Sequence, residues 1–239
     1  MLSGQAAIVT GASKGIGRAI AIKLIELGAD VGVVQRGDGP GVGERVSIRA
    51  DLTDPRAAAR AINELADELG RLDVLVCNAA GTHREPALDV SLENWERIIQ
   101  LDLISPFAQA QAAARRYVSQ SSGGKIVFLA SLMSFQGGLN VSSYAAAKGG
   151  IALLTKALAN DWASRGIRVN AVAPGFTDTP MTQPIMADEA RNAEVIRRTP
   201  VGRWGVASEV ADAVAFLVSP GAEFIHGHVL PVDGGYLGR

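Results

Sequence analysis

The stretch Gln5–Leu27, QAAIVTGASKGIGRAIAIKLIEL, decides the fold. Its first six residues form a short apolar run that reads as a strand. GASKGIG, residues 11–17, breaks the run. Arg18–Leu27 then carries apolar residues at helical spacing, and Gly28 is a natural stop. Between strand and helix, Gly11, Gly15 and Gly17 permit a tight turn, close approach of a ligand phosphate and close helix packing. A phosphate there meets N–H groups that the first helical turn leaves unpaired, with Ser13, Lys14 and Ile16 beside it.

The rest of the chain repeats the alternation. Strands are expected at Asp30–Val34, Arg45–Ala50, Asp73–Cys77, Lys125–Ala130, Arg168–Val172 and His228–Val232. Helices are expected at Pro55–Leu69, Leu92–Ser119, Ser143–Ser164 and Ser208–Ser219, the last with Ser208 as N-cap. The piece QRGDGPGVGE, residues 35–44, is too broken for a helix, so the second crossover helix is expected to be lost or shortened. Residues 176–205 read as a mobile substrate loop with short helices. This pattern predicts an α/β protein of one domain, residues 1–239, built on a doubly wound parallel sheet of about seven strands.

Composition narrows the function. The 239 residues are 48% hydrophobic and 20% charged with 27 glycines, which suits a tightly turned globule. A net charge of −1 gives no basic footprint for nucleic acid. The single cysteine, Cys77, excludes an intramolecular disulfide and a cysteine-rich metal site, so no metal is expected. No run approaches the ~18 apolar residues of a membrane span, and the N-terminus leads straight into a strand. The expected location is the cytoplasm.

A second stretch, SLMSFQGGLNVSSYAAAK at Ser131–Lys148, carries the chemistry. Tyr144 and Lys148 stand four apart at the start of a helical run and so project from one face. A phenol beside an ammonium is expected to titrate below its free value of about 10, which makes it a usable proton donor or acceptor. Ser131 follows the strand-like KIVFLA and brings a hydroxyl to the same point. A Tyr and a Lys on a solvated helix face would give the same pattern, so the rest of the chain must decide.

TGxxxGxG, CNAA after the fourth strand, Ser131 thirteen residues before YxxxK and Pro174-Gly175 after the sixth strand occur in order over the whole chain. Together they resemble the short-chain dehydrogenase/reductase family. The resemblance implies a Rossmann fold, a nicotinamide cofactor, NAD(P), and hydride transfer between a secondary alcohol and a ketone. It implies that Tyr144 is the acid/base, that Lys148 holds the nicotinamide ribose, and that Ser131 bonds the substrate oxygen. It also implies cofactor contacts at Arg36, Asp51, Leu52, Asn78, Pro174, Gly175, Thr177 and Thr179. SFQGG at 134–138, TPVGRWG at 199–205 and the ending VDGGYLGR are similar to the sugar-acid branch of the family, which comprises 2-deoxy-D-gluconate 3-dehydrogenases and 2-dehydro-3-deoxy-D-gluconate 5-dehydrogenases. A homotetramer is implied as well, in keeping with the alanine-rich helices, and the tail YLGR is expected near a neighbour's site.

Two departures stand out. Cys77 and Ala80 replace the family's usual Asn and Gly, and Cys77 reads as a packed small residue rather than a reactive thiol. Asp102 replaces an asparagine that helps hold a water relay to the lysine, and an ionised Asp102 cannot donate a hydrogen bond. The expectation is an ionised carboxylate close to that relay, raising the working pKa of Tyr144. For cofactor choice, the second strand ends in Gln35-Arg36 rather than an acid, and Lys14 lies in the glycine loop. Two cations lean the reading to NADP(H), whereas the sugar-acid branch commonly uses NAD(H). A small-molecule carboxylate needs cations or several donors, and His83, Arg84, Arg191 and Arg203 are candidates, each equally read as a solvated surface group. The alternatives are a 3-oxoacyl-[acyl-carrier-protein] reductase, which needs a basic patch near its site, and a dinucleotide-binding protein without turnover.

Overall fold

The computed structural model describes residues 1–37 and 41–239. Strands β1 (Ala6–Thr10), β2 (Asp30–Gln35), β3 (Val46–Arg49), β4 (Val74–Cys77), β5 (Gly124–Leu129), β6 (Ile167–Pro174) and β7 (Val229–Val232) form one sheet. Their order is β3-β2-β1-β4-β5-β6-β7, with every pairing parallel. The helices are α1 (Gly15–Glu26), α2 (Pro55–Leu69), α3 (Leu92–Ile99), α4 (Ser105–Gln120), α5 (Ser142–Trp162), α6 (Gln183–Met186), α7 (Glu189–Arg198) and α8 (Ala207–Val218). This is the Rossmann-type α/β architecture expected.

Helices cover both sheet faces, so central strands have no side turned to water and read as unbroken apolar runs. All of β1 and β4 is buried. On one face Ile62, Leu65 and Leu69 of α2, Ala113 and Tyr117 of α4 and Ile151 of α5 pack over Ile8, Leu75 and Phe128. On the other, Ile20 and Leu24 of α1 and Val210, Val214 and Leu217 of α8 pack over Val9, Val33 and Val127. From β1 the chain runs outward to β2 and β3, then returns through α2 to β4 on β1's other side. Consecutive connections leave β1 and β4 in opposite directions, which opens a crevice at their C-terminal ends. The glycine loop follows β1 and Asn78–Gly81 follows β4, so sheet topology alone brings these two segments together.

Two expectations need correction. The predicted helix over 92–119 is two helices joined by a π turn at Gln100–Ile104, in which the Ser105 N–H reaches back to the Gln100 carbonyl. Pro106 has no N–H to give the carbonyl of Asp102 four residues earlier, so the α pattern cannot continue through this point. The N-cap of α8 is Val206 rather than Ser208, and its N–H is held by the Glu209 carboxylate at 2.8 Å. Residues 176–205 have a small core of their own, formed by Ile185, Val195 and Trp204 with Phe176 and Met186.

Among the described residues no helix separates β2 from β3, as expected for the broken piece, whose residues 38–40 lie outside the described residues. No helix among them is long and apolar enough to cross a membrane. The tail packs on its own chain. Tyr236 is buried against Phe176 and beneath the Arg198 guanidinium, and Arg239 donates to the Arg197 carbonyl.

Candidate active site

A cleft of about 530 Å³ opens at the switch point. Gly11, Ser13, Lys14, Gly15, Ile16, Gly17, Arg36, Asp51, Leu52 and Asn78 line it, together with Ser131, Tyr144, Lys148, Pro174, Gly175, Thr177 and Thr179. Every residue expected to act on the reaction or to contact the cofactor is there except Asp102, which is fully buried behind the wall.

The glycine loop owes its shape to two close approaches. A Cβ on Gly17 would overlap the Gly11 carbonyl and the Asn78 amide, and one on Gly11 would meet Ala79 Cα at 2.8 Å. Asn78 fastens the loop to the end of β4. Its Nδ2 donates to the carbonyls of Thr10 (2.9 Å) and Gly11 (3.1 Å), and its backbone N–H donates to Thr10 Oγ1 at 3.1 Å. No side chain caps α1, so its first N–H groups open into the cleft as anion donors. These donors, with Lys14 and Arg36 on the same lining, fit the pyrophosphate and the adenosine end of a nicotinamide dinucleotide. Asp51 accepts from the N–H and hydroxyl of Thr53, which hold its carboxyl below the usual carboxylate range, with Arg36 adding to the effect.

At the other end, β5 delivers Ser131 and α5 delivers Tyr144 and Lys148. Ser131 is the N-cap of a short 3-10 turn, Leu132–Ser134, and accepts from the Met133 N–H at 3.2 Å. Ser134 in turn donates to the Lys148 backbone carbonyl at 2.6 Å, which locks this turn to α5. Lys148 Nζ lies 5.5 Å from the Tyr144 ring centroid and donates to the Leu129 carbonyl at 2.9 Å. The π turn points Asp102 inward, where Oδ1 accepts the Gly81 N–H at 2.8 Å and Oδ2 stands 3.4 Å from Lys148 Nζ without a hydrogen bond. Asp102 thus meets the lysine directly. Burial pushes its carboxyl above the ordinary range, and Lys148 and the Gly81 N–H oppose that rise.

The four rim candidates divide. Arg84 and Arg191 line the cleft. His83 does not, and pairs with Glu85 at 2.7 Å. Arg203 lines a small pocket beside α8 instead and forks onto Glu209 at 2.7 and 3.1 Å, holding that carboxyl down to about 2. Arg97, on the last turn of α3, also lines the cleft. Its helix was legible in the sequence but not which way that turn faces. Cys77 is packed against the Pro106 carbonyl, and burial drives its thiol far above its ordinary pKa, as suits a packed small residue.

Sheet order, glycine loop and the Ser-Tyr-Lys wall define a dinucleotide-binding oxidoreductase. The chain belongs to the short-chain dehydrogenase/reductase family: residues 11–237 match the family model described as enoyl-(acyl carrier protein) reductase. It is 39% identical to a 2-dehydro-3-deoxy-D-gluconate 5-dehydrogenase of Escherichia coli, covering 100% of this chain and 97% of the relative. It is 38% identical to a 3-oxoacyl-[acyl-carrier-protein] reductase of Salmonella typhimurium, over 97% of both chains. A solved structure described as a putative 2-deoxy-D-gluconate 3-dehydrogenase from Agrobacterium tumefaciens, with bound NADP, superposes with a TM-score of 0.95. That match has 40% identity and covers 100% of this chain and 98% of the other. The protein is an NAD(P)-dependent oxidoreductase.

The raised carboxyl of Asp102 sets a pH dependence of stability. Between the ordinary carboxyl value of 3.8 and the higher native one, the native state holds a proton that the unfolded state has lost. The stabilising contribution is therefore full below 3.8 and is lost as pH rises through the native value. Asp102→Asn, which mimics the protonated form, should gain stability relative to the wild type as pH rises through that window. Urea denaturation of both proteins across the window checks this, and a variant whose stability relative to wild type stays flat or falls as pH rises contradicts it.

Proposed function

We propose that this protein transfers a hydride between NADP(H) and the secondary alcohol or ketone of a sugar-derived acid, such as 2-deoxy-D-gluconate or 2-dehydro-3-deoxy-D-gluconate. The observation that carries the reading is that Ser131, Tyr144 and Lys148 line the same cleft as the glycine loop. When bound, the nicotinamide supplies the two-electron acceptor or donor. In alcohol oxidation, the Tyr144 oxygen takes the hydroxyl proton as the carbinol carbon gives up its hydride. In reduction, Tyr144 returns that proton to the carbonyl oxygen. Ser131 orients the substrate oxygen by hydrogen bond. Lys148 holds the nicotinamide ribose and puts a positive charge beside Tyr144. Asp102 acts through Lys148 as a positioning residue.

Cofactor contacts fall to the glycine loop residues, with Asn78 beneath them, and to Arg36, Asp51 and Leu52 toward the adenosine. Pro174, Gly175, Thr177 and Thr179 serve the nicotinamide end. Lys14 and Arg36, with no acid at the end of β2, support preference for a 2′-phosphate. Residues 1–239 act as one domain, in which segment 176–205 moves over the substrate as a unit because it carries its own apolar cluster. Exposed Phe107 and Leu153 on α4 and α5 support a homotetramer, and a single buried thiol suits a cytoplasmic protein. A second reading, reduction of 3-oxoacyl groups on a carrier protein, rests on the Salmonella relative.

Tyr144→Phe should lower turnover by about 10²- to 10⁴-fold and leave NADPH binding, followed by nicotinamide fluorescence, close to wild type. Retention of more than about a tenth of the activity would remove Tyr144 from the acid/base role. Turnover of a panel of sugar acids and 3-oxoacyl thioesters with both cofactors should give the highest kcat/KM for a sugar acid with NADP(H). A thioester at the head of the panel would transfer the conclusion to the second reading. Light scattering should give the mass of a tetramer and cell fractionation a cytoplasmic protein, whereas a stable micromolar monomer or a membrane-bound fraction counts against this part.

A further inference from the structure

The cleft is far more cationic than the chain that forms it. Among the described residues lining it are Lys14, Arg36, Arg84, Arg97, Lys148 and Arg191, against one carboxylate, Asp51. The whole chain carries a net charge of −1. Lys14, Arg36 and Asp51 belong to the dinucleotide end and Lys148 is committed to Asp102 and Leu129, which leaves the three arginines to be explained.

Arg84 and Arg191 come from different parts of the chain. Arg84 stands in the loop after β4, and Arg191 on the first half of α7 within segment 176–205. Neither guanidinium has a carboxylate within ion-pair distance among the described residues. Asp188, three residues before Arg191, accepts that residue's backbone N–H at 3.1 Å and caps α7. Partial desolvation in the cleft lowers the pKa of Arg84, whose side chain still reaches solvent, the like charge of Arg191 lowers it further, and Tyr144 acts in the opposite sense. Arg84 therefore feels both Arg191 and Tyr144 across the cleft. Two guanidiniums brought together beside the Tyr144 phenol repel each other until an anion lies between them, and a carboxylate matches the forked donor geometry of each.

We propose that Arg84 and Arg191 form a two-sided clamp for the carboxylate of the substrate, and so select acids over uncharged alcohols. The inference rests on the sugar-acid reading above and deepens it by naming the residues that read the acid. Because the two arginines belong to separate segments, an anion bound by both ties segment 176–205 to the loop after β4 and fixes the hydroxyl-bearing carbon relative to Tyr144. Arg97 adds a third positive charge to the same lining.

Calorimetric titration of the NADPH-saturated protein with D-gluconate and with its uncharged amide, D-gluconamide, tests the clamp directly. The wild type should prefer gluconate by roughly 10- to 100-fold. Arg84→Gln and Arg191→Gln should each bring that preference toward unity, with NADPH affinity unchanged as the control for folding. The clamp is overturned by a wild type that binds neither probe or does not discriminate between them, or by variants that keep the full preference. Turnover on the substrate panel stands apart from this readout. Absence of sugar-acid turnover with the charge preference intact would sink the functional reading and leave the clamp, and normal turnover without the preference would do the reverse.

Discussion

The ammonium of Lys148, held almost out of water, ties together the segments that make the site. Its nitrogen reaches the Leu129 carbonyl at the end of β5 and Asp102 in the π turn, while its backbone carbonyl receives the Ser134 hydroxyl. At 3.4 Å and an effective dielectric of ~20, attraction between Lys148 and Asp102 is about 5 kcal/mol. Drying each ion costs several kcal/mol, so the pair at best breaks even, and the raised pKa of Asp102 shows that drying prevails for the carboxyl. The stability to hold it must come from the apolar clusters on both faces of the sheet. What the pair supplies is position: it fixes Lys148, and through one turn of α5 it fixes Tyr144.

That dependence explains which parts of the molecule were legible in the sequence. Strands buried on two faces must be apolar, so β1 and β4 announce themselves, and the glycine loop has few other uses between a strand and a helix. The π turn was not legible because LENWERIIQLDLISPFAQAQ keeps a helical composition throughout, although Pro106 was the local cue. The rim was legible only as a set of candidates. Arg84 and Arg203 are the same residue type in loop segments, and only tertiary packing gives Glu209 to one and the cleft to the other. Likewise the tail VDGGYLGR signals nothing of its contact with Phe176 and Arg198, which depends on residues about 40 to 60 positions earlier.

The two departures at the end of β4 and just beyond it are tolerated for different physical reasons. Cys77 occupies the last position of a fully buried strand, where the demand is for a small side chain without an unmet polar group, and a thiol against the Pro106 carbonyl meets it. Ala80 needs only room. Asn78 between them has no such freedom. Its amide bonds the carbonyls of Thr10 and Gly11 while Thr10 Oγ1 takes the N–H groups of Asn78 and Ala79, so two strand ends are stitched through one side chain from each.

The same stitch sets how the cleft divides its work. Because Asn78 sits under the glycine loop, chain leaving β4 must turn away from the phosphate end, and the next residues form the wall on the Tyr144 side. Gly81 is the first of these to be committed, its N–H taken by Asp102, and Arg84 follows three residues later. A carboxylate at 102 therefore orients more than a lysine. By pinning Gly81 it fixes the root of the loop that carries a cation into the cleft, so the buried ion pair and the exposed arginine belong to one chain of constraints running from the sheet to the mouth of the site.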